Sequence, residues 1–229
     1  MSLSTTDLAG SGEKPQLTLE TLLSEAAGFA AIESMHDEPT LYGVTDGKAV
    51  GTYLEHKFQR VLKKRYIFET GSSAKGIDFP SLNVDMKVTS TKQPQSSSPF
   101  RSARQKVLGL GYSLLLFVYQ KSDDGRKRTA RLSILNTVFV DESRTADYQM
   151  TRGIREIIMR DGNEDDLMAL MLDRNLHIDE DEARTLAREL LGSPPKQGYL
   201  TISNALQWRL QYARVISYAG EVDGVIGVT

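Results

Sequence analysis

The chain has no cysteine among its 229 residues, a single tryptophan and only 3 histidines. Disulfides and thiolate metal sites are therefore excluded, and the composition suits a reducing compartment. His36, His56 and His177 show no metal-ligand spacing, so an imidazole-rich zinc centre is excluded as well. Long apolar runs are also missing. The longest, Leu114 to Tyr119, is six residues, against the ~20 that cross a bilayer. No basic stretch followed by an apolar one opens the chain, so neither a secretory signal nor a membrane partner is expected. The expected location is the cytoplasm of a bacterium or archaeon. Residues 1–16 read as a flexible leader.

Net charge is another near-absence, at −2, but its distribution is uneven. Between Gly51 and Arg131 there are 16 Lys and Arg against 6 Asp and Glu, or +10; the remainder holds 12 against 24, or −12. Such polarity suits a polyanion bound on one side, although uneven solvated charge is the plainer explanation. Forty per cent apolar and 25% charged residues are ordinary globular values, enough for a sizeable core.

Periodicity predicts helices over 17–35 and 50–65, the second with an apolar stripe of Val50, Tyr53, Leu54, Phe58, Val61 and Leu62. "YIFET" reads as a short strand, 90–99 as a polar loop and 99–109 as a helix. "YSLLLFVYQK" and "TARLSILNTVFV" read as strands about the turn "KSDDGRKR". Helices are predicted over 145–160, 163–174, 179–192 and 201–218, with Asp179 and Glu182 forming a capping box. The order predicts an α/β (α+β) fold. A mixed central sheet is flanked by helices over 17–143, and 144–229 forms a mainly helical C-terminal region packed closely with it.

The chemistry concentrates in "KGIDFPSLNVDMKVTS", residues 75–90. Alternation makes it a hairpin with Ile77, Phe79, Val84, Met86 and Val88 on one face and Asp78, Asp85 and Lys87 on the other. With Ser81-Leu82 as the turn, Phe79 opposes Val84 and Asp78 opposes Asp85, their Cβ atoms about 4.5–5.5 Å apart. Two carboxylates at that spacing repel unless a cation lies between them. Paired carboxylate oxygens form the hard ligand set that Mg²⁺ prefers. A lysine beside them either orients or deprotonates water, or offsets charge developing on a phosphate. The competing explanation is an exposed polar face with incidental salt bridges. An acidic residue two before a lysine is common by itself; the alternating strand, the opposing "GID" and the preceding Glu-bearing helix give the pattern its weight.

With these residues in view, the chain resembles the PD-(D/E)XK nucleases: "GID", a short spacer, then "DMK", in a helix–strand–hairpin–helix–strand order over roughly residues 50–120. Within that superfamily it looks most like type II restriction endonucleases. Ile77 stands where the superfamily's proline would be, and the resemblance covers about a third of the chain. It implies Asp78 and Asp85 as metal ligands, Lys87 as the catalytic lysine, and Glu55 as an additional acidic residue. By helical position Glu55 lies at the edge of the apolar stripe beside Leu62; an ordinary solvated glutamate is the alternative. The expected function is Mg²⁺-dependent, sequence-specific hydrolysis of double-stranded DNA by a homodimer. The alternatives are a repair or recombination nuclease of the same fold and a non-catalytic DNA-binding module.

Candidate DNA contacts are Lys75, Arg101, Arg104 and Lys106 for phosphates and Gln93 and Gln95 for base edges. "TISNALQWRLQYARV" reads either as a recognition helix or, with Trp208 and its apolar neighbours, as a helix packed in the core. "DGNEDD" lacks the glycine and the terminal glutamate of a calcium loop. "GLG" at Gly109 precedes a strand instead of following one, so it is no phosphate cradle.

Overall fold

The computed structural model describes residues 14–71, 76–98, 102–203 and 208–229. Helix α1 (Leu19–Glu33) starts at Thr18, whose hydroxyl accepts from Thr21 N in a capping box. Strand β1 (Asp37–Glu38) follows. Helix α2 (Gly47–Arg65) is capped by Asp46, which accepts from Lys48 N and Ala49 N; these bonds satisfy amides that the first turn leaves open. Strands β2 (Val84–Ser90) and β3 (Gln95–Ser98) precede a one-turn α3 (Gln105–Leu108). The long strands β4 (Ser113–Asp124) and β5 (Thr129–Val140) form a hairpin. Helices α4 (Tyr148–Met159), α5 (Glu164–Asp173) and α6 (Glu180–Gly192) come next, followed by β6 (Thr201–Ser203), β7 (Trp208–Gln211), α7 (Ala213–Ser217) and β8 (Val225–Gly227).

Two sheets organise these elements. The central one runs β1-β5-β4-β2, with β8 also on β5; β2 is parallel to β4 and the other pairings are antiparallel. The second is antiparallel, in the order β3-β7-β6. Alternation along β4 sends Leu115, Phe117 and Tyr119 to one core with α1 and α2, where Phe29, Phe58 and Phe117 stack edge to face or tilted. Leu114, Leu116 and Val118 go to the opposite core, against Ile202, Leu210 and Tyr212 of the second sheet and its exit. Helices α3 to α6 build a third core around Val107, Ile154, Leu167 and Leu186. The mixed sheet flanked by helices is the fold that the sequence pattern predicts.

Several local expectations are corrected. "YIFET" forms only one bridge, Ile67 to Gln16, in place of a strand. The polar loop over 90–99 contains β3, and within the described residues the helix expected over 99–109 is the single turn α3. Within the described residues the helix over 201–218 is not formed as expected: β6 and β7 take half of them, and helix appears only in α7. Asp179 does cap α6, accepting from Glu182 N at 2.8 Å.

Candidate active site

Only the tip of the expected hairpin forms, a Phe79–Val84 bridge across a wider turn than Ser-Leu, so Asp78 and Asp85 are not cross-strand partners. Pro80–Leu82 make a 3₁₀ turn, and Asn83 takes the left-handed conformation (φ 54°) that asparagine tolerates. Phe79 and Val84 still pair. Asn83 fixes the turn from below: its side-chain amide donates to Gly111 O and Glu142 Oε2, and its carbonyl accepts from Ser113 N. Residues 76–78 are not strand, so alternation does not carry through them. Ile77 therefore packs toward the second sheet while Phe79 enters the α1–α2 core.

Asp78 is held at both ends. Its Oδ2 accepts from Met86 N at 2.8 Å, and its carbonyl accepts from Gly71 N at 3.0 Å. That approach demands glycine: a Cβ on Gly71 would lie 1.8 Å from Ile77 O. Asp85 and Lys87 alternate with Val84, Met86 and Val88 along β2. They are set by parallel pairing with Leu114 and Leu116 on β4. Asp85 is 4% exposed, and Lys87 Nζ lies 2.7 Å from its Oδ2. The contact is a largely buried ion pair.

The charges reflect this packing. Burial pushes the Asp85 carboxyl well above the ordinary aspartate range; Lys87 opposes the rise and the adjacent Asp78 carboxylate adds to it. Burial also opposes the Lys87 ammonium, but Asp85 outweighs it and holds the proton on the lysine above the ordinary range. Glu55, half-buried on α2, has its carboxyl pushed up by burial; Lys87 pulls it back and Asp85 raises it further. Glu55 thus shares the field of the pair. Among the described residues no three His, Cys, Asp or Glu side chains converge on one ion position. The carboxylates that meet are Asp78 and Asp85.

A Mg²⁺ ion fits that pair. It commonly takes one or two protein carboxylates and fills its shell with water and phosphate oxygens. One lysine against two adjacent carboxylates leaves a net negative charge for a cation to resolve.

The family model described as "Type II restriction enzyme NspV" matches residues 16–227. The chain belongs to this family. It is 64% identical over 212 residues to the type II restriction enzyme NspV of Nostoc sp., an alignment covering 93% of this chain and 96% of that protein. No solved structure matches it. The match includes the helical C-terminal region, which the hairpin motif left untouched.

Around the site of this restriction enzyme, Gln93 is exposed and Gln95 partly so, at the start of β3. Arg104 is ion-paired with Glu189 on α6. Lys75 and Arg101 lie outside the described residues. Lys106 is only 7% exposed, and burial lowers its pKa, so its ammonium is not offered to solvent as the sequence suggested.

Two residues near the site escaped the sequence reading. Thr89 continues the Asp85–Lys87 face, and its hydroxyl accepts from Gln95 N at 3.0 Å and lies 3.1 Å from Gln95 O and 3.3 Å from Gln93 O. Tyr212, fully buried, donates its backbone N–H to Pro94 O and hydrogen-bonds Ser96 through its hydroxyl. Alternation alone would have placed Thr89 on the site face. Nothing local marks Tyr212.

Proposed function

We propose that this restriction enzyme hydrolyses phosphodiester bonds in both strands of duplex DNA at a specific sequence. In this reading Mg²⁺ is held by Asp78 and Asp85, and the protein acts as a homodimer in the cytoplasm. The observation that carries the proposal is the buried Asp85 carboxylate held beside Asp78, with Lys87 as its ion-pair partner. Bound there, the ion supplies Lewis acidity to a phosphate oxygen and acidifies a water ligand. Lys87, kept protonated by Asp85, donates to the phosphate as negative charge develops, a role for which a fixed cation needs no reorganisation. In this reading it acts as a charge-stabilising donor. Glu55, with its proton affinity raised by burial, holds or accepts a proton at the α2 edge of the site. Asp78 is oriented by Met86 N, which leaves its other oxygen for a ligand.

Gln93, Gln95 and Arg104 are the proposed DNA contacts among the described residues, with Lys75 and Arg101 added from the sequence. Arg104 would have to exchange Glu189 for a phosphate. Dimerisation follows from one site per strand: a symmetric duplex sequence is matched by a two-fold protein. Residues 17–143 carry the chemistry in this reading, and 144–229 support the core through β8 and the second sheet. Digestion of plasmid DNA tests it. Discrete bands with Mg²⁺ that vanish with chelator are expected; binding without cutting, or cutting restricted to branched or mismatched DNA, would refute sequence-specific cleavage.

A further inference from the structure

The second sheet has two unlike faces. Its inner row, Ser96–Leu210–Ile202, packs on the central sheet, with Leu210 and Ile202 buried. Cross-strand partners share a face, so the outer side carries two rows in register. Gln95, Gln211 and Thr201 form one row; Ser97, Arg209 and Ser203 form the next. Ser97, Arg209 and Gln211 are exposed and Gln95 and Thr201 partly so, while the Ser203 hydroxyl oxygen is itself buried. A solvated sheet face is normally polar, but it ordinarily mixes both charges. This one holds only amides, hydroxyls and a guanidinium, in a chain with 30 acidic residues.

We infer that this outer face is the surface by which the enzyme reads the sequence of its duplex, with Arg209 and Gln211 as specificity-determining residues. The inference rests on the DNA-cleaving reading above. The dimensions fit: three strands about 4.8 Å apart span roughly 10 Å, within the ~12 Å major groove, which admits β-structure. Glutamine and arginine are the side chains that grip a base edge with two hydrogen bonds, and the hydroxyls of Ser97 and Thr201 serve either base or phosphate. No carboxylate on the face opposes the polyanion.

The face is also tied to the chemistry. Gln95 N donates to Thr89 Oγ1 at 3.0 Å, and Thr89 lies two residues, about 6.6 Å, along β2 from Lys87. On the other side Tyr212 N donates to Pro94 O at 2.8 Å. The reading rows therefore begin a few base-pair steps from the scissile phosphate and hold a fixed relation to it.

The test uses the full chain. Wild-type cut sites are mapped on a plasmid of known sequence, and two duplex oligonucleotides are made, one with a mapped site and one without. Their affinities are measured in chelator for wild type, Arg209→Ala and Gln211→Ala, with thermal melting to confirm folding of these surface variants. The ratio of the two affinities should fall roughly 10- to 100-fold in each variant, the worth of a bidentate base contact. An unchanged ratio in both variants, or equal weakening on both duplexes, overturns the inference while leaving cleavage intact. A wild type that cuts no plasmid overturns the nuclease reading and this inference together.

Discussion

Asp78 and Asp85 are the same residue type in one site, yet their replacement by asparagine should shift stability in opposite directions. Asp78→Asn keeps an acceptor for Met86 N and removes a charge repelling Asp85, so metal-free melting should hold or rise. Asp85→Asn strands Lys87, whose side chain is 22% exposed. Breaking a fully buried pair costs about 3–5 kcal/mol; with residual solvent contact the expected loss is about 1–3 kcal/mol. Both should lose Mg²⁺-dependent cleavage by more than about 1000-fold, since a weakened metal forfeits several kcal/mol in the transition state. A cleaving Asp85→Asn would remove the carboxylate from the mechanism. Gly71→Ala should cut activity on the order of 100-fold by pushing Asp78 off position, as a displacement near 1 Å can; single-turnover rates at saturating DNA measure it. A separate residue contributes to acid stability. Burial alone would raise the Glu38 carboxyl, but donors from Thr40 and Tyr53 outweigh it and hold it at about 2 against an ordinary 4.5. Its folded-state pKa is depressed, so its contribution is complete above pH 4.5 and lost as pH falls toward 2. Glu38→Gln should flatten the stability profile in that window. Alternation along β2 places Asp85 and Lys87 on one face. Asp78 was singled out by the sequence pattern, but its position comes from the bonds to Met86 N and Gly71 N. Gly71 was not legible, because its constraint is a contact with Ile77 that no local pattern encodes.

At the scale of elements, the link between β2 and β3 is a set of hydroxyl contacts. Thr89→Val preserves shape and branching but removes the hydroxyl that bonds Gln95 N and faces the carbonyls of Gln93 and Gln95, leaving Gln95 N only Gln93 O, at a cost of about 0.5–1.5 kcal/mol. Thr89→Ser should restore most of that loss, and a Ser variant as unstable as Val would show that packing, and not the hydroxyl, holds β3. Asp147 plays the matching part between the helical bundle and the second sheet: its carboxylate accepts from Met150 N in the α4 cap and from Ile202 N in β6. Asp147→Ala should lower stability by about 2–4 kcal/mol in chemical denaturation, two buried amides being left unmet. The same elements show where sequence reading stops. The helices α1, α2, α4, α5 and α6 and the long strands β4 and β5 announce themselves by period and length. Residues 201–218 place Ile202, Leu206, Leu210 and Ala213 at spacings of three or four that suit a helix, and 3- and 4-residue strands offer too few positions for alternation to compete. Their strand state comes from pairing with β3, some 110 residues earlier, which is tertiary information.

Over the whole molecule, the +10 segment is less free than its count suggests. Lys57 pairs with Glu33, Arg65 with Glu25, Arg104 with Glu189, and Lys127 and Arg131 with Asp37, all acids outside the segment; Lys87 and Lys121 pair within it. Seven of the 16 basic residues are thus already partnered, and Lys106 is buried. Much of the polarity visible in the sequence therefore ties the basic segment to the rest of the fold. Each phosphate neutralised contributes about −0.9 to the slope of log affinity against log salt. If all 16 met phosphates, the slope would be about −14; with the paired and buried ones withheld it should be no steeper than about −7 per protomer. The measurement is binding of a duplex without a cut site, in chelator, across a salt series at constant pH. A slope near −14 would mean that the ion pairs open on DNA, and a slope near zero would leave the basic segment with no part in binding. A value between about −3 and −7 is expected, with the sequence-dependent remainder supplied by contacts that salt does not screen.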